Sequence, residues 1–289
     1  MRARDIDTLS TGGVALRWVA PGPAFLFCPA DHPERFAKAA RLADVVLIDL
    51  EDGVARDRRD FARQALRSAN LDPDVTIVRI NPVGTDEHQR DLDAVMATDF
   101  RRVMLAKTTT ATQICDLAPL EVIALCETPA GVRNADEIAA CPNTIALMWG
   151  AEDLVAALGG NASRHVDGSL SDLSRYARAR ALLEAGCHEV GALDTVFLNF
   201  GDLEGQRVEA EDAAAMGFMA TPCVHPSQIA VVREAYRPTD EQVRFAREVL
   251  AFTEGSGGVF RLGDVMVDGP VIAQARRVLA RAGLAGRSP

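Results

Sequence analysis

The stretch Val45–Gly53 reads VVLIDLEDG, an apolar run that ends in acidic residues and a glycine. Near-continuous hydrophobicity is typical of a parallel strand that is covered on both faces. The acidic residues then stand where such a strand would end. The same unit, a short apolar run followed by polar residues and a helical pattern, recurs along the chain from Pro23 onward.

Eight strand-like runs of this kind can be identified. They are Phe25–Pro29, Val45–Leu50, Thr76–Ile80, Val103–Ala106, Val122–Cys126, Ile145–Trp149, Thr195–Phe200 and Met219–Val224. Alternation of strands with helical patterns predicts a parallel sheet, and eight units without a ninth favour a closed (β/α)₈ TIM barrel over an open sheet. The open sheet stays an alternative, since its order of elements is the same. It is weakened by the lack of a GxGxxG loop after the first strand.

The barrel is predicted to span residues 23–238, between an N-terminal extension over residues 1–22 and a C-terminal helical segment over residues 239–289. In that last segment, helical patterns over Asp240–Thr253 and Pro270–Ala282 flank a glycine-rich connector, Glu254–Gly269. Such a connector is interpreted as a lid or as an arm onto a neighbouring subunit. An exposed loop explains its composition equally well.

The chain carries 31 basic and 41 acidic residues, a formal net charge of -10. A surface of that sign repels phosphate backbones, so no nucleic-acid partner is expected. No run approaches the roughly 18 apolar residues of a membrane span, and the N-terminus lacks the apolar region of a signal peptide. We therefore expect a cytoplasmic protein without a membrane partner.

None of the six cysteines belongs to a C-x-x-C pair. Cys28, Cys126 and Cys223 lie in predicted strands, where thiols behave as small hydrophobic groups. This pattern favours a reducing compartment and argues against a disulfide framework or a zinc site.

Polar residues follow most of the predicted strands, and a barrel carries its chemistry at the carboxyl ends of its strands. In chain order they are Asp49, Glu51, Asp52, Arg79, Asn81, Lys107, Glu127, Glu152, Asp153, Asp202 and His225. The set suits Mg²⁺, which prefers oxygen ligands and needs only one or two protein carboxylates. Glu127 and Asp153, on adjacent strands, could bind one ion, and Arg79 could hold a substrate carboxylate as a bidentate fork.

Structural interpretations compete with each of these roles. Asp49 could be a paired buried carboxylate, Asp52 could shape a turn, and Asp153 could simply favour a helix N-terminus. Lys107 could form a Schiff base, but nothing beside it argues for a lowered pKa, so an ion pair is favoured. For His225, orientation of a loop is favoured over general-base catalysis.

Six strings go beyond a generic strand–helix pattern. They are Leu47–Val54 (LIDLEDGV), Val78–Asn81 (VRIN), Cys126–Val132 (CETPAGV), Met148–Leu154 (MWGAEDL), Val224–Ile229 (VHPSQI) and Met266–Pro270 (MVDGP). Together, and in this order, they resemble the HpcH/HpaI aldolase superfamily, in its branch of citrate lyase β-subunit-like proteins. The chain departs from that pattern at Met104–Thr110, which reads MLAKTTT where family members often have LPK and then a glutamate.

This resemblance implies a (β/α)₈ barrel assembled as a homotrimer. It implies Mg²⁺ bound by Glu127 and Asp153, with Arg79 on the substrate. It also implies that Asp268 reaches the active site of a neighbouring subunit as a catalytic residue. The competing interpretation of Asp268 is a cap before the last helix.

The implied activity is a Mg²⁺-dependent lyase that cleaves or forms a 3-hydroxy-3-carboxyacyl-CoA, such as citramalyl-CoA or malyl-CoA. The products would be acetyl-CoA and a 2-oxo acid. Arg79 and Asp268 would take part in catalysis, and Arg79, Glu51 and Asp52 would bind the substrate. Asp49, Glu51 and Asp52 would also support the ion through its waters. The alternatives are a citrate lyase β-subunit acting on an acyl-carrier protein, an aldolase of free 4-hydroxy-2-oxo acids, and a non-enzymatic barrel.

Overall fold

The computed structural model of the chain describes residues 16–253 and 259–285. It contains two compact units, one formed by Arg17–Ala235 and the other by Leu16 with the described residues from Tyr236 onward. The predicted extension over residues 1–22 is described only from residue 16, and residues 254–258 of the predicted connector lie outside the described residues.

Eight parallel strands form the sheet of the first unit. They are β1 (Ala24–Pro29), β2 (Val45–Asp49), β3 (Thr76–Ile80), β4 (Arg102–Leu105), β5 (Glu121–Cys126), β6 (Thr144–Trp149), β7 (Gly191–Leu193) and β8 (Thr221–Cys223). Their order in the sheet is β7-β6-β5-β4-β3-β2-β1-β8. A parallel bridge between Leu193 and Ala220 joins the two outermost strands. The predicted barrel is therefore confirmed, since an open sheet would leave those strands as separate edges.

Helices follow the strands on the outside of the sheet. They are α1 (Phe36–Leu42), α2 (Arg59–Arg67), α3 (Asp86–Met96), α4 (Ala111–Cys115), α5 (Pro129–Arg133), α6 (Ala135–Ala140), α7 (Ala151–Ala157), α8 (Asp172–Cys187), α9 (Leu203–Met216) and α10 (Gln228–Tyr236). Short 3₁₀ turns at Pro33–Arg35 and Arg56–Arg58 precede α1 and α2. Strands β2 and β6 are buried at every position, which explains why they are apolar apart from Asp49 at the end of β2 and Thr144 at the start of β6.

The seventh strand was predicted in the wrong place. The run Thr195–Phe200 is not a strand, and β7 is the preceding segment Gly191–Leu193, which pairs with β6. Backbone pairing, rather than hydrophobicity, decides which residues form a strand here. Consequently Asp194 ends β7, while Asp202 is the N-cap of α9 and accepts the Gly205 N–H at 2.9 Å.

The cysteines are only partly as expected. Cys28, Cys126 and Cys223 are buried free thiols, as the strand pattern predicted. The pattern argued against a disulfide framework, but the described residues include one disulfide, between Cys115 at the end of α4 and Cys141 just after α6, with Cα atoms 6.0 Å apart. These residues are separated by 26 positions, so only the packing of the two helices brings them together.

The second unit consists of two helices and a hairpin, α11 (Asp240–Thr253), β9 (Phe260–Leu262), β10 (Val265–Val267) and α12 (Gly269–Ala285). Ala246, Val249, Val267 and Ala275 form its buried centre. The glycine-rich connector, interpreted from the sequence as a lid, an arm or an exposed loop, contains this antiparallel hairpin among its described residues. Across the described ranges, no helix has both the length and the apolar character that a bilayer crossing requires.

Asp194 holds the end of β7 in the interior of the barrel unit. Its Oδ1 accepts a hydrogen bond from Trp149 Nε1 at 2.7 Å, and its Oδ2 accepts one from Arg178 Nη2 at 2.8 Å. Arg178 also donates through Nη1 to Asp212. Because Asp194 and Arg178 are both buried, each compensates the charge of the other. The pair therefore links α8 to the ends of β6 and β7.

Replacement of Asp194 by Ala should destabilise the barrel unit by about 3–5 kcal/mol, because the buried Arg178 guanidinium loses its partner. Chemical denaturation followed by tryptophan fluorescence measures this unit, since both tryptophans, Trp18 and Trp149, lie in it. Asp212→Ala is the matched control, because the Asp212 side chain is 57% exposed and its loss should cost about 1 kcal/mol or less. Equal losses in the two variants would contradict this account.

Candidate active site

Glu127 and Asp153 follow neighbouring strands. Glu127 stands directly after β5 and Asp153 lies in the first turn of α7, after β6, whose Trp149 is paired with Cys126 of β5. A Cβ atom at residue 150 would lie 2.7 Å from Glu127 Oε2 and 2.8 Å from the Cβ of Glu127. Gly150 therefore lets the Glu127 carboxylate pack against the turn that leads to Asp153.

Lys107, after β4, contacts both of these carboxylates and two others. Its backbone N–H donates to Glu127 Oε1 at 3.0 Å, and its Nζ lies 3.4 Å from Asp153 Oδ1. The same Nζ donates to Glu51 and, at 3.3 Å, to Asp52 Oδ2. Lys107 has a φ of 51°, a left-handed conformation that costs an L-residue roughly 1–2 kcal/mol. The favoured interpretation of Lys107 as an ion-pair residue agrees with these contacts.

Arg79, in β3, is held by Asp49 of β2. Its Nε donates to Asp49 Oδ1 at 2.7 Å and its Nη2 donates to Asp49 Oδ2 at 2.6 Å. Its Nη1 lies 3.2 Å from Glu51 Oε2, and the guanidinium carbon is 4.8 Å from the centre of the Phe27 ring. Arg79 was expected to hold a substrate carboxylate with two donors. Its Nε and Nη2 instead form that two-donor edge with Asp49, and Nη1 is the guanidinium nitrogen that does not contact Asp49.

Asp49 is buried and serves as a positioning group. Besides Arg79, it accepts the backbone N–H groups of Glu51 at 2.9 Å and of Gly53 at 2.8 Å. A Cβ at residue 53 would lie 2.4 Å from Asp49 Oδ2, so the glycine of the EDG string is required for this contact. Of the two roles considered for Asp49, the contacts support the structural one.

Burial dominates the electrostatics of this group. Burial, followed by the charge of Asp153, raises the pKa of Glu127 to about 8. Burial also raises the pKa of Glu51, against the opposing effects of Arg79 and Lys107. In Lys107 burial acts to lower the pKa, but the hydrogen bond to Glu51 and nearby negative charges leave it above its ordinary value. The site therefore favours additional positive charge.

The donor set fits a hard divalent cation. Five carboxylates, Asp49, Glu51, Asp52, Glu127 and Asp153, face only two cations, Arg79 and Lys107. Such an excess of negative charge is costly in a partly buried site unless a cation joins it. Carboxylate oxygens are the ligands that Mg²⁺ prefers, so Glu127 and Asp153 remain the candidate ligands.

Other predicted residues have local roles. His225 stacks on Phe200, with ring centres 4.9 Å apart, and its Nδ1 is hydrogen-bonded to Ser227 Oγ at 2.8 Å. These contacts agree with orientation of a loop. Glu152 Oε1 accepts a hydrogen bond from Ser163 Oγ at 2.5 Å, so one of its two carboxylate oxygens has a partner elsewhere in the barrel unit.

Asp268 belongs to the second unit, immediately before α12. Its Oδ1 accepts the Val271 N–H at 3.4 Å and its carbonyl oxygen accepts the Ile272 N–H at 3.0 Å. The side chain therefore caps the helix, as one of the two interpretations expected. Its catalytic role stays a prediction.

Two residues near the candidate site were not singled out from the sequence. Gly150 had an available signal, because it separates the end of a strand from the acidic first turn of a helix in the string MWGAEDL. Phe27 had none, because one aromatic residue in an apolar strand is indistinguishable from the rest of the core until its cationic neighbour, Arg79, is located.

Known proteins are similar to this chain in sequence and in fold. Residues 24–226 match the HpcH/HpaI aldolase/citrate lyase family. A citrate lyase subunit beta-like protein of Mycobacterium tuberculosis is 53% identical over 264 residues, covering 91% of this chain and 97% of the relative. The human mitochondrial citramalyl-CoA lyase is 28% identical over 316 residues, which cover 97% of this chain and 91% of that relative. The fold is also similar to a crystal structure of CitE from M. tuberculosis in complex with magnesium, acetoacetate and coenzyme A. The TM-score is 0.87 at 53% sequence identity, and the match covers 91% of this chain and 98% of that chain.

Gly150→Ala should weaken Mg²⁺ binding by at least about tenfold, a loss of about 1.4 kcal/mol. The added Cβ would meet both Glu127 Oε2 and the Cβ of Glu127, and rotating the side chain cannot relieve the second clash. Isothermal titration calorimetry measures the affinity. Gly186→Ala, in α8, is the control, because a Cβ there meets nothing within 4 Å. An unchanged Mg²⁺ affinity in Gly150→Ala would show that metal binding does not require the Glu127 side chain to pack against residue 150.

Proposed function

Because the chain belongs to the HpcH/HpaI aldolase/citrate lyase family, we propose that it is a magnesium-dependent carbon–carbon lyase acting on a 3-hydroxy-3-carboxyacyl-CoA. Citramalyl-CoA and malyl-CoA are the candidate substrates, and acetyl-CoA with a 2-oxo acid would be the products. The observation that carries this proposal is the pair of carboxylates, Glu127 and Asp153, which follow the adjacent strands β5 and β6 and lie beside Arg79 and Lys107. The relative crystallised with magnesium and coenzyme A supports both cofactor and thioester.

In this proposal Glu127 and Asp153 hold the ion, and Glu51 and Asp52 support it through its waters. Bound Mg²⁺ would supply Lewis-acid stabilisation of the negative charge that develops on the substrate oxygens. Asp49 fixes Arg79 so that Nη1, beside Glu51, is the donor left for the carboxylate or oxo group of the substrate. A donor held in place before the reaction needs little reorganisation as charge develops.

Asp268 is the proposed acid and base. The substrate hydroxyl would lose its proton to water and become the carbonyl of the 2-oxo acid as the carbon–carbon bond breaks, and the electron pair of that bond would pass to the acetyl-CoA fragment as an enolate. The Asp268 carboxylic acid would then give its proton to the enolate carbon. In the condensing direction the Asp268 carboxylate would remove that proton. We propose that Asp268 comes from a neighbouring subunit of a homotrimer. The location of the protein in the cytoplasm also stays a prediction.

Two other substrates use the same site. A citrate lyase β-subunit would act on a citryl thioester of an acyl-carrier protein, and an aldolase would cleave free 4-hydroxy-2-oxo acids. Release of the 2-oxo acid should be measured with and without EDTA: pyruvate or glyoxylate from the CoA thioester, oxaloacetate from the citryl carrier-protein thioester, and pyruvate from the free acid. Turnover of the CoA thioester that EDTA abolishes is expected. Metal-independent turnover, or activity only on another substrate, would reject the proposal.

Glu127→Gln should reduce Mg²⁺ affinity at least about 30-fold, roughly 2 kcal/mol, because a neutral amide replaces a charged ligand. Calorimetric titration of the ion measures this directly. Glu121→Gln provides a control on the same strand, since Glu121 starts β5 and pairs with Arg102 at 2.8 Å. Equal affinities of the two variants would exclude Glu127 as a ligand.

Asp268→Asn should lower kcat about 10²–10⁴-fold, the range for loss of a general acid or base. Asparagine preserves helix capping, so the last helix should keep its thermal stability. Steady-state kinetics and Mg²⁺ titration of the same preparation separate proton transfer from metal binding, which should not change. Asp264→Asn, in the neighbouring hairpin turn, is the control. A rate equal to that of the control would remove Asp268 from the mechanism.

A further inference from the structure

Lysine is rare in this protein. Of its 31 basic residues only Lys38 and Lys107 are lysines, and the others are arginines. Lys38 is exposed on α1. The buried ion pairs of the barrel, such as those of Arg79 and Arg178, use arginine. Lysine differs from arginine in being a compact, flexible point charge without a planar fork. Of the two lysines, the one that is not exposed on α1 therefore stands beside the candidate metal ligands.

The position of this ammonium makes it an alternative cation for the same carboxylates. Lys107 Nζ lies 3.4 Å from Asp153 Oδ1 and 3.3 Å from Asp52 Oδ2, and it also pairs with Glu51. A Mg²⁺ ion binds carboxylate oxygen at about 2.1 Å. With Lys107 in place, an ion bound to Asp153 Oδ1 would lie no more than about 5.5 Å from the ammonium, where two cations repel strongly in a partly buried site.

The backbone of Lys107 is constrained while its side chain has freedom to move. The backbone N–H donates to Glu127 Oε1, so the residue touches the second candidate ligand as well. The Lys107 side chain is 32% exposed, and its ammonium stands on a flexible four-carbon stem. If the ammonium withdraws from Asp153, Glu51 and Asp52 remain available as partners for its charge.

We propose that Lys107 is the counterion of the metal-free site and that its ammonium leaves Asp153 when Mg²⁺ binds, so that Lys107 sets the affinity of the site for the ion. This inference rests on the metal site of the proposed function. Lys107 is a positioning residue here, because it acts on the ligands and needs no contact with substrate. Its effect is to stabilise the metal-free protein and to weaken the hold on the ion.

The first experiment compares Lys107→Met, which keeps the length of the side chain and removes its charge, with Lys107→Arg and the control Lys38→Met. Calorimetry should show Mg²⁺ binding at least tenfold tighter in Lys107→Met, and less than threefold different in the other two variants. Without Mg²⁺, Lys107→Met should melt at a lower temperature than the wild type, and saturating Mg²⁺ should raise its Tm by more. Equal or weaker Mg²⁺ affinity in Lys107→Met would overturn the proposal.

The second experiment measures the displacement in the wild-type protein, and only the assignment of the signals uses a variant, at the exposed Lys38. Labelling lysine with ¹³C at Cε gives one NMR signal from each of the two lysines, and Lys38→Arg assigns them. Saturation with Mg²⁺ should shift the Lys107 signal and leave that of Lys38 in place. A stationary Lys107 signal under conditions where calorimetry detects binding would refute the displacement.

The two experiments also separate this inference from the proposed function. If the wild type binds no Mg²⁺, or if Glu127→Gln binds it as the wild type does, the metal site itself fails. If Glu127→Gln loses binding while Lys107→Met binds as the wild type does, only the role of Lys107 fails.

Discussion

Buried carboxylates at the carboxyl ends of the strands are the constraint on which this site depends. Asp49, Glu51 and Glu127 are each about 3% exposed, and a buried charge is tolerated only with a partner. Arg79 satisfies Asp49 with two hydrogen bonds. Glu127 receives a backbone N–H of Lys107 and remains undercompensated, as its raised pKa shows.

The close contacts around these carboxylates explain otherwise unusual residues. Gly53 and Gly150 stand where a Cβ would collide with the oxygens of Asp49 and Glu127. The left-handed backbone of Lys107 aims its N–H at Glu127. The glycines cost conformational entropy on folding and the Lys107 backbone is strained. The glycines make room for the two carboxylates, and the Lys107 backbone forms a hydrogen bond with Glu127. The barrel supplies the rigid frame that makes such spacing reproducible.

Much of this could be predicted from the sequence. Apolar runs located seven of the eight strands, because strands that are covered on both faces of a parallel sheet are largely apolar. The carboxyl end of each strand is then known, and so are the residues at or just after it, including Arg79 near the end of β3, and Lys107 and Glu127 after β4 and β5. The six strings identified the family, which the match over residues 24–226 confirms.

Partner choice was decided by the tertiary structure. That Arg79 turns its two-donor edge to Asp49, that Lys107 lies among four carboxylates, and that Cys115 meets Cys141 all depend on strand register and helix packing. The misplaced seventh strand has the same cause, since Gly191–Leu193 is a strand only through its pairing with β6. Local sequence determines which residues are apolar and where chains turn, because those properties belong to single residues and their near neighbours. Contacts between distant residues depend on how the whole chain packs, so only the folded barrel determines them.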